Sequence, residues 1–591
     1  MCGIAGFYAI DEATPTRPVV ERMVTAIASR GPDGARVDQH GRVALGHRRL
    51  AIIDLTTGDQ PIYDADGTAV VANGEIYNYI ELKADPDYRD YPYRTASDCE
   101  VILPLHARHG RDFAGKLRGM YAVCVFDPRS ATLTLARDPF GMKPLYYMES
   151  DQGLLFCSEI KGLLVDGIAA PEIDRAQVHA VMAHHFTLGR ETVFGGIHRL
   201  LPGETLVVRD GRIVDRHRRP MVPSAAPRPI AQGAALDQLD AVLRDSVAVH
   251  CRSDVPIGLF LSGGVDSSCI LSILARDYRQ RLTSFTIGFP DAAVHDERDL
   301  AAKLARSAGT AHVDVPFTVD DFWALLPRIA RYFDDPLIDP AIVPTWKLAM
   351  VAAQDLKVVL SGEGGDEVFA GYGRYRRPWL RRLRRLLGAG AGDRLLSLAT
   401  GADRGADGSA GAQADKVTGA PEHTGLQRLQ ARDMIDWLPH GLLGKLDKCL
   451  MAHGLEGRTP FLDSQVVDFG FRLPDTLKIR GRHGKWLLKT WLHQHMPEAR
   501  PFAHKRGFTV PVGEWLASRS QVLPDLMARQ PGIREYFQTE VVRSVFSNPS
   551  GKTGFLAWSF LFFALWHQAY GLGRPNSNGT VFDVLADAAR G

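Results

Sequence analysis

A chain of 591 residues, 45% hydrophobic and 23% charged, has material for two or more separately packed cores. Its seven cysteines run from Cys2 to Cys449 with no CxxC pair and no metal-ligand spacing, which excludes a disulfide framework and suits a reducing, cytoplasmic setting. A net charge of +2 argues neither for nor against nucleic acid, no nucleic-acid partner is expected, and no basic stretch before an apolar run marks a signal peptide.

The chain opens Met1-Cys2-Gly3-Ile4-Ala5-Gly6. A small second residue lets the initiator methionine be removed, leaving Cys2 with its own α-amine as general base, a group that titrates near about pH 8. A small cysteine buried in a first strand is the alternative. Arg30-Gly31-Pro32-Asp33 reads as a charged turn, and His47–Asp54 as a strand carrying paired arginines. Ala69–Ala72 reads as a strand followed by Asn73-Gly74-Glu75-Ile76-Tyr77-Asn78, and Ser97 as the N-cap before Asp98-Cys99-Glu100. Val123–Asp127 and Thr132–Arg137 read as strands paired around Pro128-Arg129-Ser130, with Leu154–Glu159 as another.

In order and spacing these segments, with Arg137–Tyr147, resemble the class II glutamine amidotransferase domain, an N-terminal-nucleophile hydrolase. The resemblance implies an αββα sandwich, two antiparallel sheets between helices. It implies that Cys2 attacks the side-chain amide carbon of glutamine to form a thioester. The Asn73 side chain and the Gly74 backbone N–H would then form an oxyanion hole. Arg49 would clamp the α-carboxylate of glutamine, while Asp98 and Glu75 would hold its α-ammonium group. For Glu75 the alternative is a residue that merely closes a turn.

This domain is expected over residues 1–210, ending with Thr205–Arg209 as its last strand. Arg216 to Pro229 is dense in Pro, Arg and Ala without periodicity, so a linker is expected within 211–235. A second domain, 236–591, begins with a helical pattern to His250 and the apolar run Val255–Leu261. Then comes Leu261-Ser262-Gly263-Gly264-Val265-Asp266-Ser267-Ser268, leading into an apolar-periodic helix. Glycines and hydroxyls at a strand-to-helix turn offer backbone N–H groups and a helix N-terminus to an anion. No Gly-Lys-Ser/Thr closes the turn, so it is not a Walker loop. Asp266 would repel phosphate unless a divalent cation stood between them, which marks it as a Mg²⁺ holder. The run resembles the pyrophosphate loop of the ATP pyrophosphatase superfamily.

Leu282–Phe289, a helix over 296–308 and His312–Val315 continue a strand–helix alternation, which predicts a doubly wound parallel sheet with its ligand at the carboxyl ends of the strands. Val358–Leu360 opens into Ser361-Gly362-Glu363-Gly364-Gly365-Asp366-Glu367, similar to the second signature of asparagine synthetases. The resemblance implies that Leu261, Ser262, Gly263, Gly264 and Ser267 bind ATP, with Ile287, Ser361 and Gly362 on adenine and ribose. Glu363 would assist formation of an acyl-adenylate or attack by ammonia on it, and Asp366 would be a second Mg²⁺ ligand. Lys485, in Gly484–Lys489, would offset charge at the α-phosphorus, with Lys489 competing for that role one helical turn away.

Arg374–Arg385 fits an amphipathic helix, and 388–419, rich in Gly, Ala and Asp, a mobile surface segment. His504–Pro511 looks like a basic loop near the nucleotide site. Thr553–Trp566 is uncharged and strongly apolar but short for a bilayer, so a buried helix in a largely helical C-terminal part is expected, and no membrane insertion. The resemblance to the asparagine synthetase family spans essentially the whole chain. It implies that glutamine yields ammonia at Cys2 and that MgATP adenylates aspartate, which ammonia then amidates to asparagine. Another carboxylate, such as a polysaccharide uronic acid or a secondary-metabolite precursor, is the alternative acceptor. Relatives of this kind are often homodimers.

Overall fold

The computed structural model describes residues 2–590 apart from 167, 169–170, 279–281, 291–296, 377–390, 401–419, 504–508 and 575–578. The first strands are β1 (Gly3–Ala9), β2 (Gly34–His40), β3 (Val43–Arg49), β4 (Ile62–Tyr63), β5 (Ala69–Ile76) and β6 (Gly119–Asp127). They are followed by β7 (Thr132–Arg137), β8 (Tyr146–Ser150), β9 (Gly153–Cys157), β10 (Ile197–Arg199), β11 (Glu204–Arg209) and β12 (Arg212–Arg218). Two six-stranded sheets result, ordered β10-β8-β9-β1-β3-β2 and β12-β11-β7-β6-β5-β4, with antiparallel neighbours throughout.

Strand periodicity explains how they stack. Ile4 and Tyr8 of β1 point to one face and meet Val71, Cys124 and Leu135 of the opposing sheet in a shared core. Ala5, Phe7 and Ala9 point the other way, onto Val20, Met23 and Val24 of helix α1 (Thr16–Ala26). On the outer face of the second sheet, Val70, Ala72 and Val123 are covered by Ile102 and Leu105 of α2 (Ile102–His109). The αββα sandwich follows.

Two local expectations are corrected. Asn73–Ile76 does not follow the strand but continues it, paired with β6 from Ala122 to Gly119. Within the segment expected as a linker, Arg212–Arg218 is a strand paired with β11. The turn between them is Asp210-Gly211, with φ of 48° and 71°, the two-residue loop whose double positive φ suits the twist of a hairpin.

The second domain holds β13 (Ile257–Phe260), β14 (Thr283–Gly288), β15 (Ala311–Pro316), β16 (Val358–Leu360) and β17 (Glu456–Arg458), all parallel, in the order β15-β14-β13-β16-β17. The chain builds outward from β13 and then returns to its other side. The strand order therefore reverses between β13 and β16, where doubly wound sheets open a ligand crevice. Helix α3 (Gln232–His250) precedes the sheet and buries Ala235, Leu239, Leu243 and Val247, one stripe at four-residue spacing. Each buried leucine there contributes about 2 kcal/mol. Helix α4 (Val265–Asp277) follows β13 and is buried along Ser267–Leu274.

Helix α5 (Trp486–His495) packs on α3 and α4, and helix α6 (Gly551–Tyr570) contains the apolar C-terminal run. Trp558, Phe562 and Trp566 of α6 are fully buried, and Trp558 lies 5.9 Å from the Phe322 ring. No helix among the described residues is long and apolar enough to cross a membrane. Of the expected basic helix Arg374–Arg385, Gly373–Arg376 is helical and the rest lies outside the described residues. Within 388–419, Ala391–Thr400 forms a helix and 401–419 lies outside them, as does 504–508 of the basic loop.

Candidate active site

Cys2 is buried at the start of β1, its Sγ 3.9 Å from the Leu50 carbonyl. Burial pushes the thiol up to about 11, so near neutral pH it is protonated and needs a base. β5 faces β1 across the sandwich and supplies Asn73, Gly74 and Glu75. Both polar atoms of the Asn73 amide are buried without a hydrogen-bond partner among the described residues. Each such atom costs about 1–3 kcal/mol, and a ligand oxygen that accepts from Nδ2 would remove the donor's share. A Cβ on Gly74 would fall 2.0 Å from the Met120 carbonyl oxygen, so only glycine lets β6 approach there.

Asp98 is buried and its Oδ2 accepts the Ile76 N–H at 2.7 Å. Burial raises its pKa against that hydrogen bond. Glu75 lies well above the usual carboxylate range because of burial, Glu456 and Asp98, with Arg458 opposing them. The Ser97 hydroxyl accepts the Cys99 N–H at 3.2 Å and opens the turn that leads into α2. Arg49 Nη1 contacts Asp59 Oδ1 at 2.6 Å and its Nη2 donates to the Asp54 carbonyl, so its fork is engaged by its own loop.

The second cluster forms where β13 and β16 diverge. After β13, Leu261 donates its N–H to Phe285 on β14, and Gly263 takes φ +68°. Ser262 and Ser267 are 3.2 Å apart through their hydroxyls, closing the turn over the start of α4. After β16, the second glycine-rich turn lies directly against the first. A Cβ on Gly362 would meet Asp266 Cβ at 2.9 Å, and one on Gly365 would meet Asp266 Oδ1 at 2.4 Å. Ile287, at the end of β14, is half-buried on the same rim.

Lys485, from the other end of the domain, joins the two turns. Its Nζ lies 2.5 Å from Asp266 Oδ2 and 2.6 Å from Asp366 Oδ1. Its backbone is left-handed, φ 54°, at the N-cap of α5, and its N–H reaches the Phe369 carbonyl. Burial alone would lower its pKa, but the two carboxylates outweigh it and raise it. Lys489 is half-buried one turn further on. Glu363 sits nearby, pushed up by burial and by Asp366 against Lys445. Lys445 itself contacts Asp339 Oδ2 at 3.1 Å.

A cavity of about 40 Å³ lies between the domains, walled in part by Met142, Tyr146, Phe186, Phe333, Leu337 and Leu443. A smaller one beside it touches Met142, Lys143, Leu446, Gly457 and Thr459.

Comparison with known sequences decides the family. The family model described as "Asparagine synthase" matches residues 238–568, and "Glutamine amidotransferase domain" matches 1–218. The chain belongs to the asparagine synthase family. Among curated relatives, "Asparagine synthetase [glutamine-hydrolyzing] 1" of Bacillus subtilis is 30% identical, over 96% of each chain. A "Putative asparagine synthetase [glutamine-hydrolyzing]" of Mycobacterium tuberculosis is 33% identical over 96% of this chain and 97% of its own. "Asparagine synthetase B [glutamine-hydrolyzing]" of Escherichia coli is 28% identical over 94% of this chain and 90% of its own. As an asparagine synthase family member the chain is an enzyme, and glutamine-dependent amidation is its reaction class.

Two groups near these sites carry no role in the sequence reading. Lys445 and Asp339 neighbour Glu363, and Glu456 and Arg458 reach Glu75 from the second domain.

Proposed function

We propose that this enzyme is a glutamine-dependent asparagine synthetase. The observation that carries the reading is the meeting of Asp266, Asp366 and Lys485 at the strand-order reversal, beside Glu363 and both glycine-rich turns. In the first domain, Cys2 Sγ attacks the glutamine amide carbon, and the Asn73 amide and Gly74 N–H take up the charge on the oxygen. Ammonia leaves, and water hydrolyses the thioester to glutamate. A thiol as basic as this one requires a proton acceptor within reach, which removal of Met1 would supply as the Cys2 α-amine.

In the second domain, a β-carboxylate oxygen of aspartate attacks the α-phosphorus of ATP and pyrophosphate departs. Ammonia then attacks the acyl carbon and AMP departs. Lys485 offsets the charge that builds on phosphate. Asp266 and Asp366 suit Mg²⁺, a hard cation usually held by one or two carboxylates together with substrate phosphates and waters, and they are the residues that would hold it. When bound, Mg²⁺ would neutralise phosphate charge and fix the triphosphate geometry. Ammonia in water near about pH 7 is almost all ammonium, so the neutral form needs a route between the two sites that is sheltered from solvent.

The test is pyrophosphate release from ATP and Mg²⁺ with single carboxylic acids and ammonium. Release that depends on aspartate supports the reading. Release with a uronic acid or another acid, and not with aspartate, replaces the acceptor.

A further inference from the structure

Strand β17 belongs to the sheet of the second domain, yet its charged side chains enter the pocket of the first. Arg458 is fully buried. Its Nε donates to Glu456 Oε1 at 2.6 Å, and its Nη1 donates to the carbonyl oxygens of His250 at 2.8 Å and Arg252 at 2.6 Å. Its Nη2 lies 3.5 Å from Glu75 Oε2, and the guanidinium stands 5.8 Å from the centre of the Tyr77 ring. Neither Nη2 nor Glu75 Oε2 has a hydrogen-bond partner among the described residues. At 3.5 Å the pair is an ion contact that leaves the two N–H donors of Nη2 and the Glu75 Oε2 acceptor still to be used.

The charge balance gives this contact a purpose. A carboxylate that receives an α-ammonium group must be ionised, and burial, Glu456 and Asp98 all push Glu75 toward its neutral form. Arg458 opposes them. The bonds to Glu456, His250 and Arg252 fix the guanidinium, so it cannot swing away as a lone surface arginine would. Its backbone carbonyl accepts the Ser361 N–H at 2.8 Å, so one short strand borders both the glutamine pocket and the nucleotide turn.

We propose that Arg458, a residue of the second domain, is a positioning residue of the glutaminase pocket: braced by Glu456, it orients Glu75 as the carboxylate for the α-ammonium of glutamine, and the pocket is complete only when the domains are docked. This rests on the glutamine-dependent reading above.

The experiment uses the full-length enzyme and its Arg458→Gln and Arg458→Lys variants. Glutamate formation is followed against glutamine concentration, and ammonium-driven pyrophosphate release is followed in parallel. In Arg458→Gln the KM for glutamine rises at least about 10-fold with a much smaller change in kcat, and Arg458→Lys recovers part of the loss. Adding Arg458→Gln to Glu75→Gln costs little beyond Glu75→Gln alone, because the two residues act through one contact. Should Arg458→Gln fail to fold, Arg458→Lys with and without Glu75→Gln gives the same readout. An unchanged KM for glutamine, or losses that add in the double variant, overturns the proposal. Failure of the underlying reading looks different, since the wild-type enzyme would then form no glutamate from glutamine.

Discussion

Replacing Lys485 with methionine keeps an unbranched chain one atom shorter and removes the ammonium that Asp266 and Asp366 share at 2.5 and 2.6 Å. Breaking a buried pair usually costs about 3–5 kcal/mol, because the remaining charge loses its partner. Here the lysine side chain is 4% exposed, but the carboxylates are 12% and 30% exposed, so solvent screens part of the loss. A destabilisation of about 3 kcal/mol is expected. Its pH dependence follows from signs. The folded-state pKa of Lys485 is raised, so its stabilisation is complete below the unfolded value and fades only as pH climbs through the alkaline range. In the variant the two carboxylates face each other without the Lys485 ammonium between them, which raises their pKa, so acid relieves the strain. Urea unfolding near about pH 5 and about pH 8 should therefore show the smaller deficit at the lower pH. Ammonium-driven pyrophosphate release should fall by about 100-fold or more, the loss typical of removing a charge-stabilising group. A variant within about 0.5 kcal/mol of wild type at both pH values, still releasing pyrophosphate within a few-fold, would refute the reasoning.

Cys2→Ala should abolish glutamine-driven amidation and leave ammonium-driven amidation intact, since the two clusters are separate; loss of both in a folded variant contradicts that. Intact-mass analysis of the purified enzyme should show Met1 absent, and an α-amine blocked by methionine would remove the proposed base. Gly74→Ala should lower stability by about 3 kcal/mol or more and silence glutamine hydrolysis, because its Cβ would lie 2.0 Å from the Met120 oxygen; a thermal-shift measurement checks this. Burial raises Glu367 to about 8 although Tyr372 donates to it at 2.6 Å. A raised carboxyl pKa means stability is lost as pH rises from the unfolded value through the folded one, here on the order of 3 kcal/mol between about pH 5 and about pH 8. Glu367→Gln should abolish that decline in urea titrations, and an unchanged pH profile would remove Glu367 as its source.

The sandwich was legible only through the family resemblance of the segments from Cys2 to Tyr147; its physical reason is structural, since β1 buries Ile4 and Tyr8 on one face and Ala5 and Phe7 on the other, with a layer on each side. The parallel sheet was legible from apolar runs ending in glycine-rich turns. The hairpin at Asp210-Gly211 was also written in the sequence, but the Pro- and Arg-rich stretch after it outweighed a two-residue turn signal. Asn73 looked like a loop residue because Asn-Gly is a turn pair. In the structure, cross-strand pairing with β6 keeps it extended, and tertiary context overrides the local preference.

By itself the sequence showed the strands that carry clear apolar runs, the two glycine-rich turns that end such runs, and which family the chain resembles, since each depends on residues within a few positions of one another. Only the tertiary structure decided that Lys485, 219 positions from Asp266, pairs with both Asp266 and Asp366, and that Arg458 turns its side chain toward Glu75 of the other domain. A charge pairs with whatever the fold brings within a few ångströms, and neither spacing along the chain nor periodicity carries that distance.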